Sequence, residues 1–192
     1  MITFVSLLFA MTLEADVRHL AATTDARVGV AAIELDNGNA FSFRGDEAFP
    51  MASVFKLPLA ITVLRRADAG ALRFDQTYTL TEHDFSPGHS PIRDRAKGQP
   101  VKLTLPELVV AAVSDSDNSA GDFLLHLVTP AAVTQQMHAR GANGIRVERT
   151  EKSIMATFAT PAGIANYAKD PRDTATPDAM VRLLRTIYER SD

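Results

Sequence analysis

Cysteine is absent from the 192 residues, which excludes disulfides, thiol chemistry and cysteine-ligated metals and leaves the redox compartment open. Charge of one sign is scarce too. Lys and Arg number 20 against 23 Asp and Glu, a formal net charge of −3, so the chain carries no electrostatic footprint for nucleic acid. No stretch reaches the ~18 apolar residues that span a bilayer. The histidines at 19, 83, 126 and 138 show no metal-ligand spacing, and no metal or cofactor is expected. What is present is the composition of a soluble globular protein, 46% apolar and 22% charged, long enough for one sizeable core or two small lobes sharing one.

The first eleven residues, MITFVSLLFAM, are apolar enough for the core of an export signal. No Lys or Arg precedes them, and no clean Ala-x-Ala cleavage site follows. Residues 1–12 read either as a residual signal peptide, which implies a periplasmic or secreted protein, or as an apolar helix packed on the body. Leu13–Ala22 reads as a short helix, Arg27–Leu35 as a buried strand and Ala40–Arg44 as an alternating one. Asn37-Gly38 between the two strands is a strong hairpin signal.

Beyond the hairpin the pattern is helical. Thr104-x-x-Glu107 is a capping-box signature. Thr129-Pro130, Thr160-Pro161 and Thr176-Pro177 each set a capping threonine before a first-turn proline, and Gly70 and Gly141 fall where helices stop. Two long stretches, roughly His83–Lys102 and Glu148–Thr174, read as irregular.

Within the apolar run MASVFKLPLA (residues 51–60) sit Ser53 and Lys56. Residues three apart share a helix face, so the hydroxyl and the amine can meet. Burial strips hydration from an ammonium and makes the neutral amine accessible as a base, which is what a serine needs to become a nucleophile. The plainer reading is a capping serine beside a lysine that snorkels to solvent. Against it stand the apolar residues on both sides and the absence of a second Ser-x-x-Lys in the chain.

Ser116-Asp117-Asn118 lies between two helical segments and offers a hydroxyl, a carboxylate able to pin the loop and an amide able to hold another amide. A calcium loop built on Asp115, Asp117 and Asp122 fails, because an EF-hand would need an acid at 119 and Gly at 120, where the chain has Ser and Ala. An ordinary helix cap at Asn118 or Ser116 is the competing reading.

Taken together the motifs are more specific. Ser116 follows Ser53 by 63 positions, Glu151 of Arg149-Thr150-Glu151 comes 35 further on, and Arg172-Asp173-Thr174-Ala175-Thr176-Pro177-Asp178-Ala179-Met180 follows. In this order the segments resemble those of the class A serine β-lactamases, over nearly the whole chain from about Leu13.

The resemblance implies an α/β (α+β) fold of the β-lactamase/transpeptidase type. An N-terminal helix and β-hairpin (13–48) would belong to a sheet subdomain, and a mainly helical subdomain (49–192) would carry the motifs. It implies that Ser53 attacks the lactam carbonyl, Lys56 is a base or proton relay, and Ser116 passes a proton to the departing nitrogen. Asn118 would bind the acylamide side chain of the drug, His89 of His89-Ser90-Pro91 would line the cleft entrance with Phe85 as second choice, and Glu151 would activate the deacylating water. The implied partner is a small β-lactam, with no cofactor and a monomeric chain.

Four departures qualify these expectations. The family usually has Asn four residues after the glutamate; here it is Met155, with Asn166 as a candidate substitute. The 24 residues from Arg149 to Asp173 exceed the common length, so the usual Arg–Asp clasp is not expected. His89 or Phe85 stands where an aromatic is usual. The Lys-Thr/Ser-Gly strand is not found by Asp192, which implies an early stop with only the N-terminal hairpin of the sheet present; losing one oxyanion donor alone costs ~10²–10³ in kcat. The expected function is β-lactam hydrolysis, with a D-Ala-D-Ala transpeptidase or carboxypeptidase, or an inactive fragment, as alternatives.

Overall fold

The structure, a computed structural model, describes residues 4–189, with side chains from Leu13 onward. The signal-peptide reading of residues 1–12 therefore concerns side chains outside the described residues. Two compact units emerge. Among the described residues, one takes 4–49, 138–145 and 174–189; the other takes 50–137 and 146–173. The C-terminal residues thus join the hairpin in the first unit, whereas the sequence reading sets 49–192 together as one mainly helical subdomain.

The first unit holds α1 (Phe4–Ala22), strands β1 (Val30–Ile33) and β2 (Ala40–Phe43), and α9 (Pro177–Glu189). The helix expected over Leu13–Ala22 begins nine residues earlier, and the strand expected over Arg27–Leu35 is cut to its four central residues. β1 and β2 pair antiparallel, with Val30 opposite Phe43 and Ile33 opposite Ala40. The turn closes at Gly38, whose φ of 74° suits glycine. α9 lies on β1, burying Ala179 and Leu183, and Asp178 Oδ1 accepts the Ser42 hydroxyl at 2.8 Å.

The second unit is built round α5 (Asn118–Val128), where Ala120, Leu124, Leu125 and Val128 are buried. Helices α2 (Lys56–Asp68) and α4 (Leu105–Val113) pack on it, contributing Leu59, Val63, Leu105 and Leu108 to the core. The Thr104 capping box forms: Glu107 Oε2 accepts the Thr104 N–H at 2.7 Å, and Thr104 Oγ1 accepts the Glu107 N–H at 3.4 Å. Thr104→Ala is expected to lower stability by about 1 kcal/mol, read as a shifted denaturation midpoint at unchanged slope.

Both stretches read as irregular contain structure. The first holds α3 (Pro91–Ala96) and the strand Val101–Thr104, which pairs antiparallel with Thr77–Leu80 in a second hairpin. The second holds α7 (Glu151–Thr157) and α8 (Pro161–Tyr167). Helices of six or seven residues are too short to display two apolar repeats, and strands joined by twenty residues give no short-range turn signal. α7 and α8 meet so tightly that a Cβ built on Gly163 would lie 1.7 Å from the Thr157 carbonyl oxygen. The fold is thus helix-rich α/β with small sheets.

Candidate active site

Every residue singled out for chemistry lies in the second unit. Ser53 sits in a 3₁₀ turn, Ala52–Phe55, that runs directly into α2, so Lys56 is the first residue of the helix and Pro58 stays in its opening turn, where the missing N–H is harmless. Ser53 is exposed and Lys56 is 2% exposed. Ser116 adopts a left-handed φ of 54°, and Asn118 opens α5 behind a buried Asp117 cap that accepts the Ala120 N–H at 3.0 Å.

Lys56 Nζ is the hub. It donates to the Ser116 carbonyl at 2.6 Å and to Asn118 Oδ1 at 2.7 Å, with Ser116 Oγ at 3.2 Å and Ser53 Oγ at 3.3 Å. Glu151 Oε1 lies 3.7 Å away, an electrostatic contact rather than a hydrogen bond. Two short bonds use two protons of the amine in either charge state. The third position faces the hydroxyls and Glu151, where a proton can leave and a lone pair can receive one. Burial pulls the Lys56 ammonium below its ordinary pKa, and the Glu151 carboxylate opposes that pull. Burial likewise pushes Glu151 above the usual carboxylate range, against the attraction of Lys56.

Glu151 is held by a residue that sequence reasoning considered only as a calcium ligand. Asp122 Oδ1 accepts the Glu151 N–H at 2.6 Å, while Oδ2 accepts the Lys152 N–H at 3.0 Å and the Ser86 hydroxyl at 2.7 Å. It supplies acceptors for the orphan donors of the α7 N-terminus. Ser119 and Ser90 extend the buried network: Ser119 Oγ accepts the Ser86 N–H, Ser90 Oγ lies 2.7 Å from it, and Ser90 also donates to Asp117. Ser90 sits before a first-turn proline as the cap of α3, but no local pattern marks the network itself: each residue is polar, buried and bonded to a segment about thirty residues distant.

The exposed His89 ring uses Nε2 to donate to the Asp115 carbonyl at 2.9 Å, and the His89 carbonyl accepts the Asn118 N–H at 2.9 Å. Phe85 is half-buried in the same loop. Asn118 Nδ2 donates to the Pro87 carbonyl at 3.0 Å.

The clasp that the loop length argued against is present. Asp173 Oδ1 accepts the Glu148 and Arg149 N–H groups at 2.8 and 2.9 Å, and Oδ2 accepts Arg149 Nε at 2.6 Å. Two short helices absorb the added length, so the ends still meet. The Asp173 carbonyl also accepts the Met51 N–H at 2.9 Å, tying the loop to the chain two residues before Ser53. Asn166 is exposed on α8.

A family model described as "Beta-lactamase enzyme family" matches residues 12–191. The chain belongs to the beta-lactamase enzyme family. Among beta-lactamase relatives, it is 34% identical over 173 residues to Beta-lactamase SME-1 of Serratia marcescens, covering 89% of this chain and 55% of that one. It is 31% identical over 176 residues to the imipenem-hydrolyzing beta-lactamase of Enterobacter cloacae, covering 90% and 56%. The crystal structure of a beta-lactamase from Chitinophaga pinensis superposes with a TM-score of 0.81 at 34% identity, over 92% of this chain and 62% of that one. The class A beta-lactamase of the last common ancestor of Gram-negative bacteria superposes at 0.76 with 37% identity, over 91% and 62%. The chain thus has a class A beta-lactamase fold and spans about half the length of the curated relatives it matches.

Proposed function

We propose that the protein hydrolyses β-lactams through an acyl-enzyme on Ser53. The observation that carries this reading is the single amine, Lys56 Nζ, lying within 3.3 Å of both serine hydroxyls and 3.7 Å from the Glu151 carboxylate. In the first half-reaction Ser53 Oγ bonds to the lactam carbonyl carbon and its proton passes to the Lys56 side. The C–N bond then breaks, Ser116 delivers its proton to the nitrogen, and Lys56, 3.2 Å away, returns the proton taken from Ser53 to the Ser116 hydroxyl. In the second half, Glu151 takes a proton from water as the water attacks the ester; the ester C–O bond breaks, and that proton is passed on to Ser53 Oγ, which restores both groups. Asn118 would orient the substrate's acylamide, and His89 would form part of the entrance.

The test is a chromogenic cephalosporin followed by intact mass. Turnover, with a transient adduct abolished by Ser53→Ala, is the expected result. A second reading, a D-Ala-D-Ala transpeptidase or carboxypeptidase, is favoured by Met155, whose thioether donates no hydrogen bond to a water. A stable Ser53 adduct without turnover would select it, and no adduct at all would reject both.

A further inference from the structure

None of these roles uses Ser86, although every polar atom of it is engaged. Its hydroxyl donates to Asp122 Oδ2 at 2.7 Å, its N–H donates to Ser119 Oγ at 2.9 Å, and its carbonyl accepts Arg93 Nη1 at 2.8 Å. The residue is 1% exposed, and Pro87 behind it restricts its backbone. An ionised carboxylate only accepts, so the Ser86 O–H is the donor, and a bond of that kind is stronger than one between neutral groups. Ser86 is therefore pinned on α5 across Ser119 and Asp122, which lie three positions apart on one helix face.

Asp122, in turn, is the residue that holds Glu151. The terminal torsion of an aspartate is broad and roughly two-fold, so a single partner leaves the carboxylate free to turn. Here Oδ2 is caught between the Ser86 hydroxyl and the Lys152 N–H at 3.0 Å, which directs Oδ1 at the Glu151 N–H, 2.6 Å away. The same loop grips α7 a second time, where the His83 carbonyl accepts Lys152 Nζ at 2.6 Å. The acylating groups are held otherwise. The Lys56 amine bonds to the Ser116 carbonyl, the Asn118 amide oxygen and the two serine hydroxyls, and none of these bonds runs through Ser86 or Asp122.

We propose that Ser86 is a positioning residue for deacylation: through Asp122 it fixes where the Glu151 carboxylate stands, without touching substrate or any reacting atom. Glu151 works only in the second half-reaction, so a displaced Glu151 slows that half alone. The inference rests on the hydrolase reading above and adds to it a residue on which one half-reaction depends and the other does not.

The test compares the full chain with Ser86→Ala, following acylation by stopped-flow with a chromogenic cephalosporin and deacylation by quenched intact mass. The expected result is deacylation slowed about tenfold, because losing one strong bond lets the base drift from its productive position, with acylation unchanged and the Ser53 adduct accumulating. Ser86→Cys fills nearly the same space with a weak donor and should slow the same step by less. Thr104→Ala, which loses a helix cap without touching any of these groups, should leave both steps at the wild-type rate.

Deacylation at the wild-type rate in Ser86→Ala overturns the inference and leaves the hydrolase reading intact. Equal slowing of both steps, or the same selective slowing in Thr104→Ala, also overturns it, because each marks a general loosening of the fold. If Ser86→Ala does not fold, Ser86→Cys decides: selective slowing upholds the inference, while a wild-type rate or a second failure to fold overturns it. A wild-type chain that forms no adduct, or an adduct without turnover, overturns the hydrolase reading itself, and the inference with it.

Discussion

In the Glu151→Gln variant, a β-lactam is expected to stay covalently attached to Ser53. Gln keeps the size of the side chain and leaves the backbone N–H bonds to Asp122 untouched, so the fold of α7 survives. What goes is the proton acceptor for water, and deacylation should fall by roughly 10²–10⁴-fold while acylation by the Ser53–Lys56 pair continues. Intact mass after mixing would show one adduct per chain persisting for many wild-type turnover times. Undiminished steady-state turnover would remove Glu151 from the mechanism.

A pH profile gives a second check on the same group. Burial raises the folded pKa of Glu151 above its ordinary value, with Lys56 opposing. A base with a raised pKa loses its function as pH falls through that raised value. Wild-type deacylation should therefore decline on the acid side at a pH above the ~4.3 of an ordinary glutamate, and the Gln variant should lack that limb.

Asp173→Ala is expected to be the most destabilising single change in the loop. Asp173 is 3% exposed and accepts two backbone N–H groups and the Arg149 guanidinium. Truncating it leaves the buried Arg149 guanidinium with Asp170 alone, 3.1 Å away, and strips one buried and one part-buried N–H of their acceptor. With Asp170 still compensating the charge, the lost hydrogen bonds cost about 2–3 kcal/mol, which for a chain of this size lowers Tm by on the order of 5–10 °C. Asp173→Asn, which keeps an acceptor oxygen, should lose about half as much. A thermal melt decides it: a midpoint for the alanine variant within a degree or two of wild type would mean the clasp holds nothing.

Legibility in the sequence followed the range of the interactions. The hairpin at Asn37-Gly38, the Thr104 capping box and the Thr160 cap are each set by a few adjacent residues, and all were readable. The meeting of Ser53 and Lys56 depends on one helical turn, and so was readable too. Ser116, Asn118 and Glu151 could be joined to them only by the order of motifs in a family, since nothing in spacing of 35 or 63 residues dictates proximity. The bonds that join Asp122, Ser86, Ser90 and Ser119 gave no signal, because a buried polar network exists only after α5, the 85–90 loop and α7 have packed. The Arg149–Asp173 clasp was misjudged for a related reason. Contour length limits how far apart two ends can be, but not how close, and α7 and α8 take up the surplus at 1.5 Å per residue.

That surplus is stored at a crease. With the Thr157 oxygen filling the space where any side chain at residue 163 would begin, the joint between the two short helices accepts glycine alone. Substitutions in this stretch are therefore channelled onto the outward faces of those helices, and the joint stays closed to them.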